Sequence, residues 1–214
     1  MALSDFKYIV VEGPIGVGKT TLARRLAESF AAKLLLEEPE HNPFLARYYE
    51  NPRANALSTQ LYFLLQRARQ IEGLRQSDLF TRVRIADYLM EKDRIFAELT
   101  LESEELALYE QVYEQVVGEA LAPDLVIYLQ APVGVLQERI RARGIAYEQG
   151  IDAHYLQRLV SAYTRFFYDY DASPLVIINV ESIDLANSDE DYRLLFERLR
   201  EVGKGRHYLN PLPL

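Results

Sequence analysis

The run Gly13-Pro14-Ile15-Gly16-Val17-Gly18-Lys19-Thr20 satisfies the pattern G-x-x-x-x-G-K-[ST], and no other feature narrows the fold as sharply. Its glycines let the backbone wrap an oxyanion closely, with amide N–H groups turned inward. The residues before it, KYIVVE, predict a buried strand, and those after it, TTLARRLAESF, predict a helix. A helix beginning at the loop brings the positive end of its dipole to the same anion. Lys19 can then neutralise β- and γ-phosphates, and Thr20 can offer a hydroxyl to Mg²⁺. The chain is thus expected to bind ATP or GTP, ATP in the reading adopted, with Mg²⁺ through Gly13, Pro14, Ile15, Gly16, Val17, Gly18, Lys19, Thr20 and Thr21. A glycine-rich turn without a ligand is the weaker alternative, because motif and context agree.

Further apolar, β-branched runs at 33–36, 82–86, 125–129 and 175–180 join 7–12 as predicted strands. Helical spacing marks 20–30, 54–74, 104–121, 133–143, 155–168 and 190–202. Alternation of the two predicts βαβ crossovers. The expected fold is therefore α/β: a three-layer P-loop NTPase with a mostly five-stranded parallel sheet and helices on both faces. Ligands of such folds lie beyond the carboxyl ends of the strands. The 214 residues suit one domain, 1–214, and no repeat or linker divides them. Prolines at 211 and 213 predict an extended end for the tail 210–214.

Bulk properties exclude several partners. With no cysteine, disulfides and thiolate zinc sites are ruled out, which suits the cytoplasm. No run approaches the ~20 apolar residues of a membrane span, and the N-terminus lacks the layout of a signal peptide. A net charge of −8 disfavours a nucleic-acid polymer but leaves a single nucleotide open.

Three further segments carry candidate chemistry. Glu37-Glu38-Pro39-Glu40 follows the second predicted strand, where a carboxylate can take a proton from an attacking hydroxyl; a solvated acidic turn is the competing reading. Gln60 and Arg67, seven apart, share a helix face, and Gln60 has the donor and acceptor needed to read a base edge. Lone helical glutamines are more often solvated. Arg139, Arg141 and Arg143 open the segment RARGIAYEQGI, where arginines can close over ATP as its phosphoryl group moves. They also suit the negative end of a helix dipole.

In this order and spacing, EGPIGVGKT, EEP with NPFL, YENP, Gln60, Arg67 and RARGIAYEQGI resemble the deoxynucleoside kinase family, from Tyr8 to about Asp171. The resemblance implies an arginine lid and a homodimer, and it implies phosphorylation of a deoxynucleoside 5′-hydroxyl. Glu38, directly before the proline, carries over as general base, and Tyr49 as a contact to the sugar 3′-hydroxyl. Gln60 carries over as base partner and Arg67 as its support. Arg139 and Arg143 carry over as phosphate cations, and Glu148 as a second 3′-hydroxyl contact. Phe63, Phe96 and Tyr88 are candidates to stack on the base or to sit in the core.

Two positions depart from the family pattern. Arg84-Ile85-Ala86-Asp87-Tyr88 puts Asp87 where many members have an arginine, resembling the Ala-Asp-Tyr version of a bacterial deoxyguanosine kinase branch and tilting the substrate towards purines. Asp87 can instead serve Mg²⁺, and the missing cation falls to Arg84, Lys92 or Arg94. Ile145 stands where the lid commonly has another arginine, which predicts weaker closure. Two alternatives remain: a P-loop kinase of a nucleoside monophosphate or non-nucleoside metabolite, and a non-catalytic ATP-binding module.

Overall fold

The computed structural model describes residues 6–76, 83–117 and 121–210. Six parallel strands form one sheet: β1 Tyr8–Glu12, β2 Lys33–Leu35, β3 Arg84–Ala86, β4 Leu125–Gln130, β5 Leu175–Asn179 and β6 Arg206–Leu209. Their order is β2-β3-β1-β4-β5-β6, so β1 lies in the middle and the phosphate loop leaves from its carboxyl end. The helices are α1 Lys19–Phe30, α2 Leu45–Glu50, α3 Pro52–Gln76, α4 Lys92–Thr100, α5 Ser103–Val117, α6 Val133–Arg143, α7 Ala153–Asp169 and α8 Asp189–Arg200.

Strand alternation divides the core between the two faces. Ile9 and Val11 of β1, with Ile127 of β4 and Ile178 of β5, meet Leu22 and Leu26 of α1 and Leu195 and Leu199 of α8. Tyr8 and Val10, with Tyr128 and Ile177, meet Ile95 of α4 and Leu159, Tyr163 and Phe167 of α7. Because both faces are covered, β1 and β4 are apolar up to their last residues, Glu12 and Gln130, the pattern expected of a parallel sheet. Helix α7 is held at its start by Asp152, whose side chain accepts from the Tyr155 amide.

Where the predicted strands and helices fall on described residues, they match within a few positions. Arg82 and residues 118–120, the ends of two of those segments, lie outside the described residues, as does the tail 211–214. Three elements were not expected. Helix α2 is six residues long, and α4 is nine. The sixth strand, β6, is four residues at the sheet edge, with the half-exposed sequence RHYL. Short elements with so few apolar positions leave no readable period.

Candidate active site

At the end of β1 the chain turns so tightly that glycine is required. Gly13 has φ of 151°, and a Cβ there would lie 2.5 Å from the Leu129 carbonyl oxygen. Gly16, with φ of 82°, is equally confined, since its Cβ would lie 2.8 Å from the Leu136 carbonyl oxygen. Gly18 caps the amino end of α1 in the left-handed region. Lys19 folds back over the loop, donating from Nζ to the Gly13 and Pro14 carbonyls at 2.7 and 3.1 Å. Burial pushes the Lys19 ammonium down to about 8, and the nearby Lys92 ammonium adds to the effect.

Two cavities meet at this loop and share Gly16, Lys19, Thr20 and Arg143. The larger, 850 Å³ against 140 Å³, runs between the loop, α6 and residues 181–187. The smaller is closed by α2, α3 and α4 and is lined by Glu37, Tyr49, Gln60, Phe63, Arg67, Asp87, Lys92, Phe96 and Glu148.

Ionic pairs organise the smaller cavity. Thr20 Oγ1 donates to Asp87 Oδ2 at 2.5 Å, while Asp87 Oδ1 accepts the Glu37 amide at 2.8 Å. Asp87 therefore ties the start of α1 to the segment after β2. The Glu37 carboxylate meets the guanidinium of Arg67 on one side and Lys92 Nζ, at 2.6 Å, on the other. Arg67 also ion-pairs with Asp93, whose side chain is fully buried. Burial alone would push the Glu37 carboxyl up. Arg67 and then Lys92 more than reverse this, holding it well below the usual carboxylate range. At the opposite wall, burial and then the Glu148 charge raise the Tyr49 phenol. Glu148 accepts from Arg143 at 2.5 Å. Gln60, nearly buried, donates to Thr100 Oγ1 at 3.3 Å.

The structure thus gathers Lys19, Thr20, Tyr49, Gln60, Arg67, Asp87, Arg143 and Glu148 around one place. Two expectations are corrected. Glu38 does not line the cavity: 47% of its side chain is exposed and it pairs with His41 at 2.9 Å. Consecutive residues of an extended segment point opposite ways, so with Glu37 drawn inward by Arg67 and Lys92, Glu38 turns out. Gln70 and Gln66 of α3 hold this phase by donating to the Leu36 and Glu38 carbonyls. Arg139 faces the larger cavity, but its guanidinium is spent on the carbonyls of Val17, Val180 and Ile183 at 3.2, 2.7 and 3.0 Å. It braces the loop backbone, leaving Arg143 as the arginine of this segment that reaches both cavities. Tyr88 is core, 1% exposed, with its hydroxyl donating to Gln70. Sequence reasoning missed Glu37 and Asp93. The doubled acid of Glu37-Glu38 was the only signal for the first, and nothing in the pattern marked the second.

Thr20 Oγ1 and an Asp87 carboxylate oxygen converge tightly enough to serve one divalent cation. Among the described residues no group of three or more His, Cys, Asp or Glu side chains could hold a metal by itself.

A family model described as deoxynucleoside kinase matches residues 9–203. The chain belongs to the deoxynucleoside kinase family. It is 33% identical over 202 residues to a deoxyguanosine kinase of Bacillus subtilis, covering 91% of this chain and 97% of that one. It is 28% identical over 213 residues to a deoxyadenosine kinase of Lactobacillus acidophilus, covering 91% and 97%. The fold matches that of a deoxyadenosine kinase from M. mycoides with the products dCMP and a flexible dCDP bound. The TM-score is 0.77 at 24% identity, over 91% of this chain and all of that one. Of Arg84, Lys92 and Arg94, the three candidate cations near Asp87, two do not line the cavity. Arg94 turns away, to Glu110 and over the Tyr113 ring, and Arg84 does not line the cavity. Lys92, 4% exposed and on the wall, is the one of the three candidates that faces the site. Among the described residues no helix is long and apolar enough to cross a membrane.

Proposed function

We propose that this chain transfers the γ-phosphoryl group of ATP to the 5′-hydroxyl of a deoxynucleoside, with purines preferred, and that Glu37 takes the hydroxyl proton. The observation that carries the reading is the junction of the two cavities at Lys19 and Thr20, with Glu37 on the acceptor side. ATP occupies the larger cavity, its phosphates over residues 13–20. The deoxynucleoside occupies the smaller, its base beside Gln60 and between the Phe63 and Phe96 rings, its 3′-hydroxyl at Tyr49 and Glu148.

In this arrangement the 5′-oxygen attacks the γ-phosphorus in line as its O–H proton passes to Glu37, and the bond to the β-γ bridging oxygen breaks. Lys19 and Arg143 meet charge on the phosphoryl oxygens, and positioning supplies much of the rate. Mg²⁺, held by Thr20 and Asp87 with the phosphates, supplies further neutralisation when bound. Arg67 is engaged by both Glu37 and Asp93, so it is not offered to a phosphate on the acceptor. That favours a nucleoside over a monophosphate. The reading includes a homodimer formed through α3 and α5, where Leu65 and Leu108 are exposed, and a cytoplasmic setting.

The test is ATP-dependent phosphorylation measured across the four deoxynucleosides, their ribose counterparts and the monophosphates. A 5′-monophosphate product from a purine deoxynucleoside is the expected result. Turnover confined to monophosphates, or ATP binding with turnover of nothing, would overturn the reading.

A further inference from the structure

Lys92 opens α4, five residues beyond Asp87, with its ammonium 2.6 Å from Glu37 Oε2 and on the wall that also carries Lys19. A lysine this deeply buried needs a reason, because an ammonium leaves water only at considerable cost. Its partner raises a chemical difficulty for the kinase reading on which this inference rests. A carboxylate clamped by two cations is a poor proton acceptor, since a base works best when its proton affinity matches the task. Arg67 cannot leave the clamp readily, because its guanidinium is also committed to Asp93. Lys92 has no second carboxylate among the described residues, and its four-carbon stem swings easily.

We infer that Lys92 is a mobile catalytic cation which leaves Glu37 for the γ-phosphoryl oxygens once both substrates are bound, supplying the charge that an arginine at position 87 would otherwise carry. The move does two things at once. It brings positive charge to oxygens where charge develops in the transition state, and it removes one of the two cations that weaken Glu37 as a base. Lys92 keeps its proton throughout; the only proton moved is that of the 5′-hydroxyl, which goes to Glu37. When the monophosphate and ADP depart, Glu37 loses that proton to solvent and Lys92 returns to it.

The test compares Lys92→Met and Lys92→Arg with the unaltered enzyme, each first shown to fold by thermal melting. Lys92→Met is expected to lower kcat by about 100-fold or more, with KM for the deoxynucleoside changed by less than about 3-fold. Lys92→Arg, retaining the charge, should recover at least about a tenth of the rate. Calorimetric binding of ADP, Mg²⁺ and aluminium fluoride with deoxyguanosine should weaken about 10-fold or more in Lys92→Met, with deoxyguanosine alone binding as before. A folded Lys92→Met enzyme with near-normal kcat and undiminished fluoroaluminate binding would overturn the inference. If the unaltered enzyme turns over no deoxynucleoside, the kinase reading falls. The fluoroaluminate arm then decides alone whether Lys92 reaches a transferring phosphoryl group.

Discussion

Removing the Arg67 guanidinium isolates the charges that it holds in the cavity wall. Arg67 is 4% exposed and faces Glu37, 17% exposed, and Asp93, 0% exposed. In Arg67→Met, Glu37 keeps Lys92, whereas Asp93 loses its counter-ion: its carboxylate oxygens have no hydrogen-bond partner among the described residues. Breaking a buried pair by deleting one partner costs about 3–5 kcal/mol, and the bare carboxylate at Asp93 places this change near the middle of that range. At roughly 2–4 °C per kcal/mol for a chain of this size, the melting temperature should fall by about 12 °C. The variant should regain stability as pH falls, because an unpaired buried Asp93 takes up a proton more readily folded than unfolded. Adding Asp93→Leu removes the stranded charge, so the double variant should lie within about 1–2 kcal/mol of the unaltered protein. Urea unfolding of all four proteins at pH 5 and pH 8 reads each term. A loss under about 1 kcal/mol for Arg67→Met, or a double variant as unstable as the sum of the singles, would refute the reasoning.

Two more outcomes follow from the phosphate loop. Lys19 has its folded value lowered to about 8 from 10.5, so the free protein should gain stability as pH rises from 8 to 10.5. Over the same window ATP affinity should fall as the ammonium is lost; calorimetric titration checks the affinity, and an affinity flat to pH 10 contradicts the assignment. Gly13→Ala sets a Cβ 2.5 Å from the Leu129 carbonyl at positive φ, for an expected loss of about 2–4 kcal/mol and of ATP binding. Gly73→Ala, within α3 and open to space, should instead gain about 0.5–1 kcal/mol; denaturant melts of the two variants give the comparison.

What the sequence revealed depended on how local each instruction was. The phosphate loop is legible because Gly13, Gly16 and Lys19 satisfy a geometry contained within eight residues. The sheet is legible because β1, β4 and β5 are long, apolar and buried on both faces. The choice between Glu37 and Glu38 is different. Strand β2 ends at Leu35, and the inward phase of the next residues is set from outside by Asp87, Arg67 and the α3 glutamines. The cation that accompanies Asp87 was hidden for a related reason. An ungapped match looks for it at position 87, whereas the fold delivers it from the first turn of α4, a short helix with little periodic signal of its own. Arg139 misled for the opposite reason: it lines the larger cavity, but three carbonyls that no motif records hold its guanidinium.

The claim on which the mechanism turns is that Glu37, and not its neighbour, takes the 5′-hydroxyl proton. Single-turnover phosphorylation of deoxyguanosine by Glu37→Gln and Glu38→Gln, at saturating ATP and Mg²⁺, tests it most directly. Glu37→Gln should be slower by about 10²–10⁴-fold with ATP still bound, and Glu38→Gln should stay within about 2-fold of the unaltered enzyme. The reverse ordering would contradict the assignment and return the role of base to Glu38.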